Sequence, residues 1–166
     1  MKRKDLSKAQ CPVARSLERV GEWWSILILR DALNGMTRFD AFEKSLGIAP
    51  NMLTRRLSAL VAAGLLEKRR YSERPPRHEY VLTSCGRDFQ PVVQALLAWG
   101  NRQFATEGAT VVIVNRETGE VAEPVMVDRV TGRPLSDPIF RSTAGPAANE
   151  RTRRKFEALH EPRRQR

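Results

Sequence analysis

A chain of 166 residues with 29 basic and 19 acidic side chains, a net charge of +10, can bury one sizeable core with a small appendage. No apolar stretch approaches the ~20 residues that span a bilayer. The start MKRKDLSKAQ lacks the apolar region of a secretory signal, and cysteines at 11 and 85 alone make no disulfide framework, so a cytoplasmic protein with no membrane partner is predicted. The charge excess points to a polyanionic partner, nucleic acid before others.

Residues 1–9 form a polar, basic leader predicted to be flexible. Over residues 11–20, Val13, Leu17 and Val20 share one face of a short helix, which Gly21 interrupts. Trp24 to Leu33 is apolar on most sides and is expected at the centre of the core. Asn34-Gly35 stops it. In RFDAFEKSL (38–46), Phe39, Phe42 and Leu46 recur at helical spacing. Gly47 breaks the period, and Ile48 follows as a buried turn residue. Pro50 suits the first position of a second helix, where its missing N–H is unpaired anyway. Leu53, Leu57 and Leu60 share one face of that helix, and Gly64 ends it. EKRRYSERPPRHEYVLT then reads as two strands, 66–72 and 78–83, around an arginine- and proline-rich tip. A helix pair with a glycine turn followed by a basic hairpin is a winged helix-turn-helix, which sets its second helix in the DNA major groove.

A further helix is expected to open at Thr83-Ser84-Cys85-Gly86 and to run to Phe104. Its Phe89, Val92, Val93, Leu96, Leu97 and Trp99 give a wider apolar face than one small core needs, which predicts a closed two-fold dimer. Beyond Ala105 the composition changes. TVVIV (110–114) and Val121–Val127 flank a Glu117-Thr118-Gly119 turn, predicting a short β-meander over 106–140. Residues 105–140 carry three basic and six acidic side chains. Residues 141–166 carry eight basic and three acidic, with few apolar residues, and are predicted to be a disordered basic tail. The predicted fold is thus mainly α with small β.

With Asn51 as zero and about 100° per residue, Asn51, Thr54, Arg55 and Ser58 lie on the face opposite the leucines. Asn pairs bidentately with adenine and Arg with guanine, so these four are the candidates for base contacts. Arg56 lies about 140° round, where a phosphate contact or an intramolecular ion pair is expected instead. In the wing, Lys68, Arg69, Arg70, Arg74 and Arg77 fall close together, with Glu73 the only acid among them. Arg69, Arg70, Arg74 and Arg77 are predicted to touch phosphates or the minor groove, although strand alternation sends some to the opposite face.

Several spaced pieces resemble one family: Cys11-Pro12-Val13, Trp24-Ser25 with Leu27 to Arg30, Arg38-Phe39, Gly47-Ile48 through Leu53, Leu57 with Leu60, Gly64-Leu65, and Tyr80 to Thr83. Together they are similar to the HxlR-type transcriptional regulators, relatives of the MarR-type winged helices, over residues 10–105. The resemblance implies a DNA-binding and dimerisation domain, a homodimer built on terminal helices, and a near-palindromic operator on double-stranded DNA. The chain departs from the family at Trp23, where a lysine is frequent, and at Ala49, where a serine N-cap is usual. That missing cap costs about 1 kcal/mol.

Cys11 has two readings. It is a small buried apolar residue, or, as the resemblance implies for a cysteine at this position, a sensor of oxidants or electrophiles. Lys8 and Arg15 and the helix start give it the electropositive surroundings that activate a thiol. Cys85, at a strand-to-helix turn, is expected to be structural. A small-molecule effector is left open. There is no glycine-rich phosphate loop, no Cys/His array for zinc, and no nucleophile with a spaced base, so no enzyme activity, cofactor or metal is expected. The competing function is a non-specific nucleic-acid binder, or a winged helix used for protein contacts.

Overall fold

The computed structural model describes residues 5–160. It divides into two compact units. One is Ser16–Pro124. The other gathers the described residues before Ser16 and those from Val125 onward. The first four residues of the predicted leader and the last six of the predicted tail lie outside the described residues.

The larger unit contains the winged helix. The end of α1 (Pro12–Val20) leads through Glu22 into α2 (Trp23–Leu33), then α3 (Phe39–Leu46), α4 (Pro50–Ala62), β1 (Leu66–Ser72) and β2 (Arg77–Leu82). The apolar periodicity packs as expected. Ile28 and Leu29 of α2, Phe42 of α3, and Leu53, Leu57 and Leu60 of α4 are all fully buried, with Ile48 and Leu65 beside them. Two polar residues of α2, Ser25 and Asp31, join this core. Asp31 accepts from Ser45 Oγ at 2.7 Å and from Arg30 at 2.8 Å, which fastens α2 to α3.

Glycine sets both turns of the helix pair. Gly47 takes φ +59° to end α3, and its N–H donates to Glu43 O at 2.9 Å. At the end of α4, Gly64 has φ +72°. Its N–H donates to Val61 O while that of Leu65 reaches back to Leu60 O, the paired bonds of a Schellman cap.

β1 and β2 are antiparallel, with Leu66 opposite Leu82, Lys68 opposite Tyr80 and Arg70 opposite His78. An irregularity follows between Arg70 and Ser72. A third short segment joins them: Arg38 bridges Glu79, and Tyr80 N–H donates to Thr37 O at 2.7 Å. The start of α3 is thereby tied to the wing.

The single helix expected up to Phe104 is instead two, α5 (Ser84–Arg87) and α6 (Gln90–Gln103). Pro91 explains the break. It has no N–H to donate four residues back, and its ring crowds the carbonyl of Arg87. Thr83 caps α5 by accepting from Gly86 N–H at 3.1 Å. The expected meander is reduced to β3 (Ile113–Val114) and β4 (Val121–Ala122) around a turn at Gly119, because Pro124 cuts short the longer run to Val127.

In the other unit, Asp5 Oδ1 accepts from Ser7 N–H. A turn at Asp128 to Gly132 is closed by a Val127–Pro134 bridge. The prediction of a disordered tail is corrected here, since Glu150–His160 form a helix, α7. Asn149 starts it by accepting from Thr152 N–H at 2.9 Å.

Candidate nucleic-acid interface

α4 presents two faces. Leu53, Leu57 and Leu60 hold it to the core, and the opposite face carries Asn51, Thr54, Arg55 and Ser58, all exposed. The structure brings these four onto one outward stripe, with Arg55 making no ion pair among the described residues. The two of them nearest the helix start engage nearby backbone. Thr54 Oγ1 donates to Pro50 O at 2.8 Å, and Asn51 Oδ1 accepts from Met52 N–H at 2.7 Å. Ala49 has no side chain to cap α4, so Asn51 satisfies one of the N–H groups a serine would serve.

Arg56 is held elsewhere. Its Nη2 donates to Glu22 Oε2 at 3.0 Å, and only 14% of its side chain is exposed. Of the two roles expected for it, the structure contains the intramolecular ion pair. Its job is to fix the start of α2 against α4, because Glu22 is the residue that immediately precedes α2.

The wing sorts its arginines by face and by partner. Alternation puts Arg69 beside Glu67 and Glu79, and Arg70 on the other face with Lys68 and Tyr80. Arg69 Nη2 donates to Glu67 Oε2 at 2.9 Å. That hydrogen bond, with the attraction between the charges, holds the Glu67 carboxyl below its usual range and raises Arg69. Arg70 reaches Glu73 at 3.1 Å and donates to Ser72 O and Glu73 O, so it shapes the tip. Arg74 and Arg77 are exposed and make no ion pair among the described residues. The exposed wing cations with no ion pair among the described residues are therefore Arg74, Arg77 and Lys68.

Arg38 was not among the candidates. Its guanidinium lies 4.7 Å from the Tyr71 ring centroid, an exposed cation stacked on the wing at the start of α3. The sequence placed it as the first residue of a helix, where the structure has it just before α3; its closeness to the wing, set by the Arg38–Glu79 bridge, was not visible.

Cys11 is exposed and free, immediately before α1, and its carbonyl accepts from Arg15 N–H at 3.1 Å. The buried apolar reading of Cys11 is corrected by that exposure. Cys85 is also exposed and free, so packing of its side chain does not make it structural. Its neighbour Gly86 has that role. A Cβ there would lie 2.1 Å from Leu65 O.

Among the described residues no cluster of His, Cys, Asp and Glu could hold a metal. No helix among them is long and apolar enough to cross a membrane.

A helix pair locked on a leucine core, an exposed polar stripe on its second helix and a basic two-stranded wing define a winged helix-turn-helix protein. The chain belongs to the HxlR-like helix-turn-helix family, whose model matches residues 19–108. A Mycobacterium bovis protein described as an uncharacterised HTH-type transcriptional regulator is 37% identical over 135 residues, covering 81% of this chain and 85% of that one. A solved Pseudomonas aeruginosa structure, of a protein assigned as a transcription factor, is 56% identical. It covers 87% of this chain and 99% of its own, with a TM-score of 0.64. The redox regulator HypR, in its reduced form, is 33% identical over 56% of this chain and 95% of its own, with a TM-score of 0.53. The chain is thus a transcriptional regulator of the helix-turn-helix type, related to the MarR-like winged helices.

Proposed function

We propose that this regulator binds double-stranded DNA as a homodimer and reads a near-palindromic operator. Asn51, Thr54, Arg55 and Ser58 would enter the major groove, and Arg74 and Arg77 would contact phosphate or the minor groove beside it. Arg69 and Arg70 join them only by exchanging Glu67 and Glu73 for phosphate. The observation that carries this reading is the exposed stripe on α4: every residue assigned to bases is accessible, while Arg56, set aside on geometry, is tied to Glu22.

Support for the dimer comes from α6, none of whose residues is buried. Val92, Leu96 and Trp99 are exposed along it, and a second copy is the simplest cover.

Selection of bound duplexes from a random pool tests this function. A two-fold symmetric motif with half-sites about one helical turn apart is expected. Arg55→Ala should relax preference at one base pair per half-site, at a cost of about 1–3 kcal/mol of discrimination. Binding that yields no motif and is lost to excess random DNA would favour the non-specific binder instead.

A second reading concerns Cys11. Its exposure ahead of α1, together with the likeness to a protein named as a redox regulator, supports control of DNA affinity by oxidation or alkylation of this thiol. Diamide should change the affinity of the wild type and not of Cys11→Ser. Equal responses would remove the idea.

A further inference from the structure

The tail is a built element with two chemically different sides. Going round α7 at about 100° per residue, Arg153, Phe156 and His160 fall within about 60° of one another. These three face the preceding segment. Arg153 Nε donates to Ala148 O at 3.0 Å, the His160 ring lies 2.9 Å from Ser142 O, and Phe156 is half-buried with its ring stacked toward His160. The opposite side carries Arg151, Arg154 and Lys155 within about 100°, all exposed. Arg154 pairs with Glu150, and that pair is largely open to solvent, so it exchanges readily for another anion. Arg151 and Lys155 make no ion pair among the described residues.

We infer that this basic side of α7 is a second DNA-contacting surface, which binds the phosphate backbone of duplex DNA outside the bases read by α4. The inference rests on the DNA-binding reading above. Three observations lead to it. The side chains that tie the helix to the preceding segment are the ones turned away from the stripe, so Arg151 and Lys155 are left with no ion pair among the described residues. The region is charged in excess, with eight basic and three acidic side chains over residues 141–166. The stripe also has no aromatic residue on which an unpaired base could stack, which favours the duplex backbone over single strands. Contacts of this kind carry no sequence information; they add affinity and fix position.

The test is titration of the full chain with a random-sequence duplex over a range of salt. Each lost phosphate contact removes about 0.9 from the slope of log affinity against log salt. Replacing Arg151→Gln together with Lys155→Gln is therefore expected to flatten the slope by about 2 per chain. Affinity for random duplex should fall on the order of tenfold per contact at 0.1 M salt. The motif selected from a random pool should not change. Arg55→Ala should do the reverse, altering the motif with little effect on the slope for random DNA. The charge-preserving exchange of Arg151→Lys with Lys155→Arg should keep the wild-type slope, whatever the glutamine pair does to the helix. An unchanged slope in the glutamine pair, or a flattened one in the charge-preserving pair, overturns the inference while leaving α4 as the reading helix. A wild-type chain that binds no duplex overturns both.

Discussion

Gly86 is the residue whose replacement tests the packing of the wing against the helices most directly. A Cβ at this position would meet Leu65 O at 2.1 Å and Leu82 Cδ2 at 2.9 Å. The leucine tip can turn aside, but the carbonyl cannot. Leu65 O accepts from Thr83 N–H at 3.1 Å and from Thr83 Oγ1 at 3.3 Å, and Thr83 in turn caps α5 through Gly86 N–H. Gly86→Ala must therefore move backbone on one side of a closed set of hydrogen bonds. Overpacking of this kind costs about 1–3 kcal/mol, and loss of the Thr83 cap adds about 1 kcal/mol. A total near 3 kcal/mol lowers the melting temperature by roughly 6–12 °C for a chain of this size. Thermal and urea denaturation of Gly86→Ala and Thr83→Ala measure the two parts. The double variant should cost less than the sum, because both act on the same joint. A Gly86→Ala protein within about 0.5 kcal/mol of wild type, the range of an ordinary surface change, would refute the close approach of α5 to Leu65.

Two other expectations follow from single groups. Asp31→Ala removes a buried carboxylate that accepts from Ser45 Oγ and pairs with Arg30, and should destabilise by about 2 kcal/mol. Asp31→Asn, which keeps an acceptor, should cost less in urea denaturation. The Asp128 carboxylate accepts from Thr131 Oγ1 at 2.7 Å and Thr131 N–H at 2.9 Å, and these bonds lower its pKa. A depressed carboxyl stabilises the turn above its unfolded pKa, and that contribution is lost as the pH falls through the folded value. An NMR titration should find the Asp128 midpoint below the ordinary aspartate value and the Thr131 amide shifting with it. A midpoint at or above that value would mean that the turn is not closed in solution.

The winged helix was legible in the sequence because local and tertiary signals agree there. The leucine spacing of α4, Pro50 at its start and Gly64 at its end each specify the same helix, and the core takes up the side that the spacing marks. The outward stripe follows from that side alone. Other features depend on distant residues and could not be read. Arg56 was excluded from the bases by its angle, but nothing in the sequence named Glu22, 34 positions away, as its partner. Asp31, buried in an apolar helix, is paired with its neighbour Arg30, but its second partner Ser45 lies 14 positions on. The tail was misjudged for another reason. Its low apolar content outweighed the local helix signal of Asn149 as a cap with Glu150 in the first turn, and α7 satisfies its polar groups with little core. For Cys85 the turn was placed correctly, but the close packing there belongs to Gly86 beside it.

The exposed side of α6 raises a quantitative question about assembly. Leu17, Val92, Leu96 and Trp99 keep 40–51% of their surface in water. Burying the remainder is worth about 1 kcal/mol for each, hence roughly 8 kcal/mol over two copies. Association costs about 4–15 kcal/mol in lost freedom, so helices alone give a marginal dimer. In the proposed dimer the hairpin would supply what is missing. Asn101 Nδ2 donates to Val111 O at 2.9 Å and ties the hairpin to α6, and Phe104, Val112 and Val121 are exposed at 65%, 43% and 66%. Val121→Asp should then weaken dimerisation roughly 50-fold in sedimentation equilibrium, from about 2–3 kcal/mol of lost burial over two copies. Val130→Asp, at a turn residue already 90% exposed, should leave the dimer unchanged. A dimer indifferent to Val121→Asp would confine the interface to the helices and leave the hairpin without a part in assembly. A wild-type chain that sediments as a monomer would remove the two-fold reading of the operator as well.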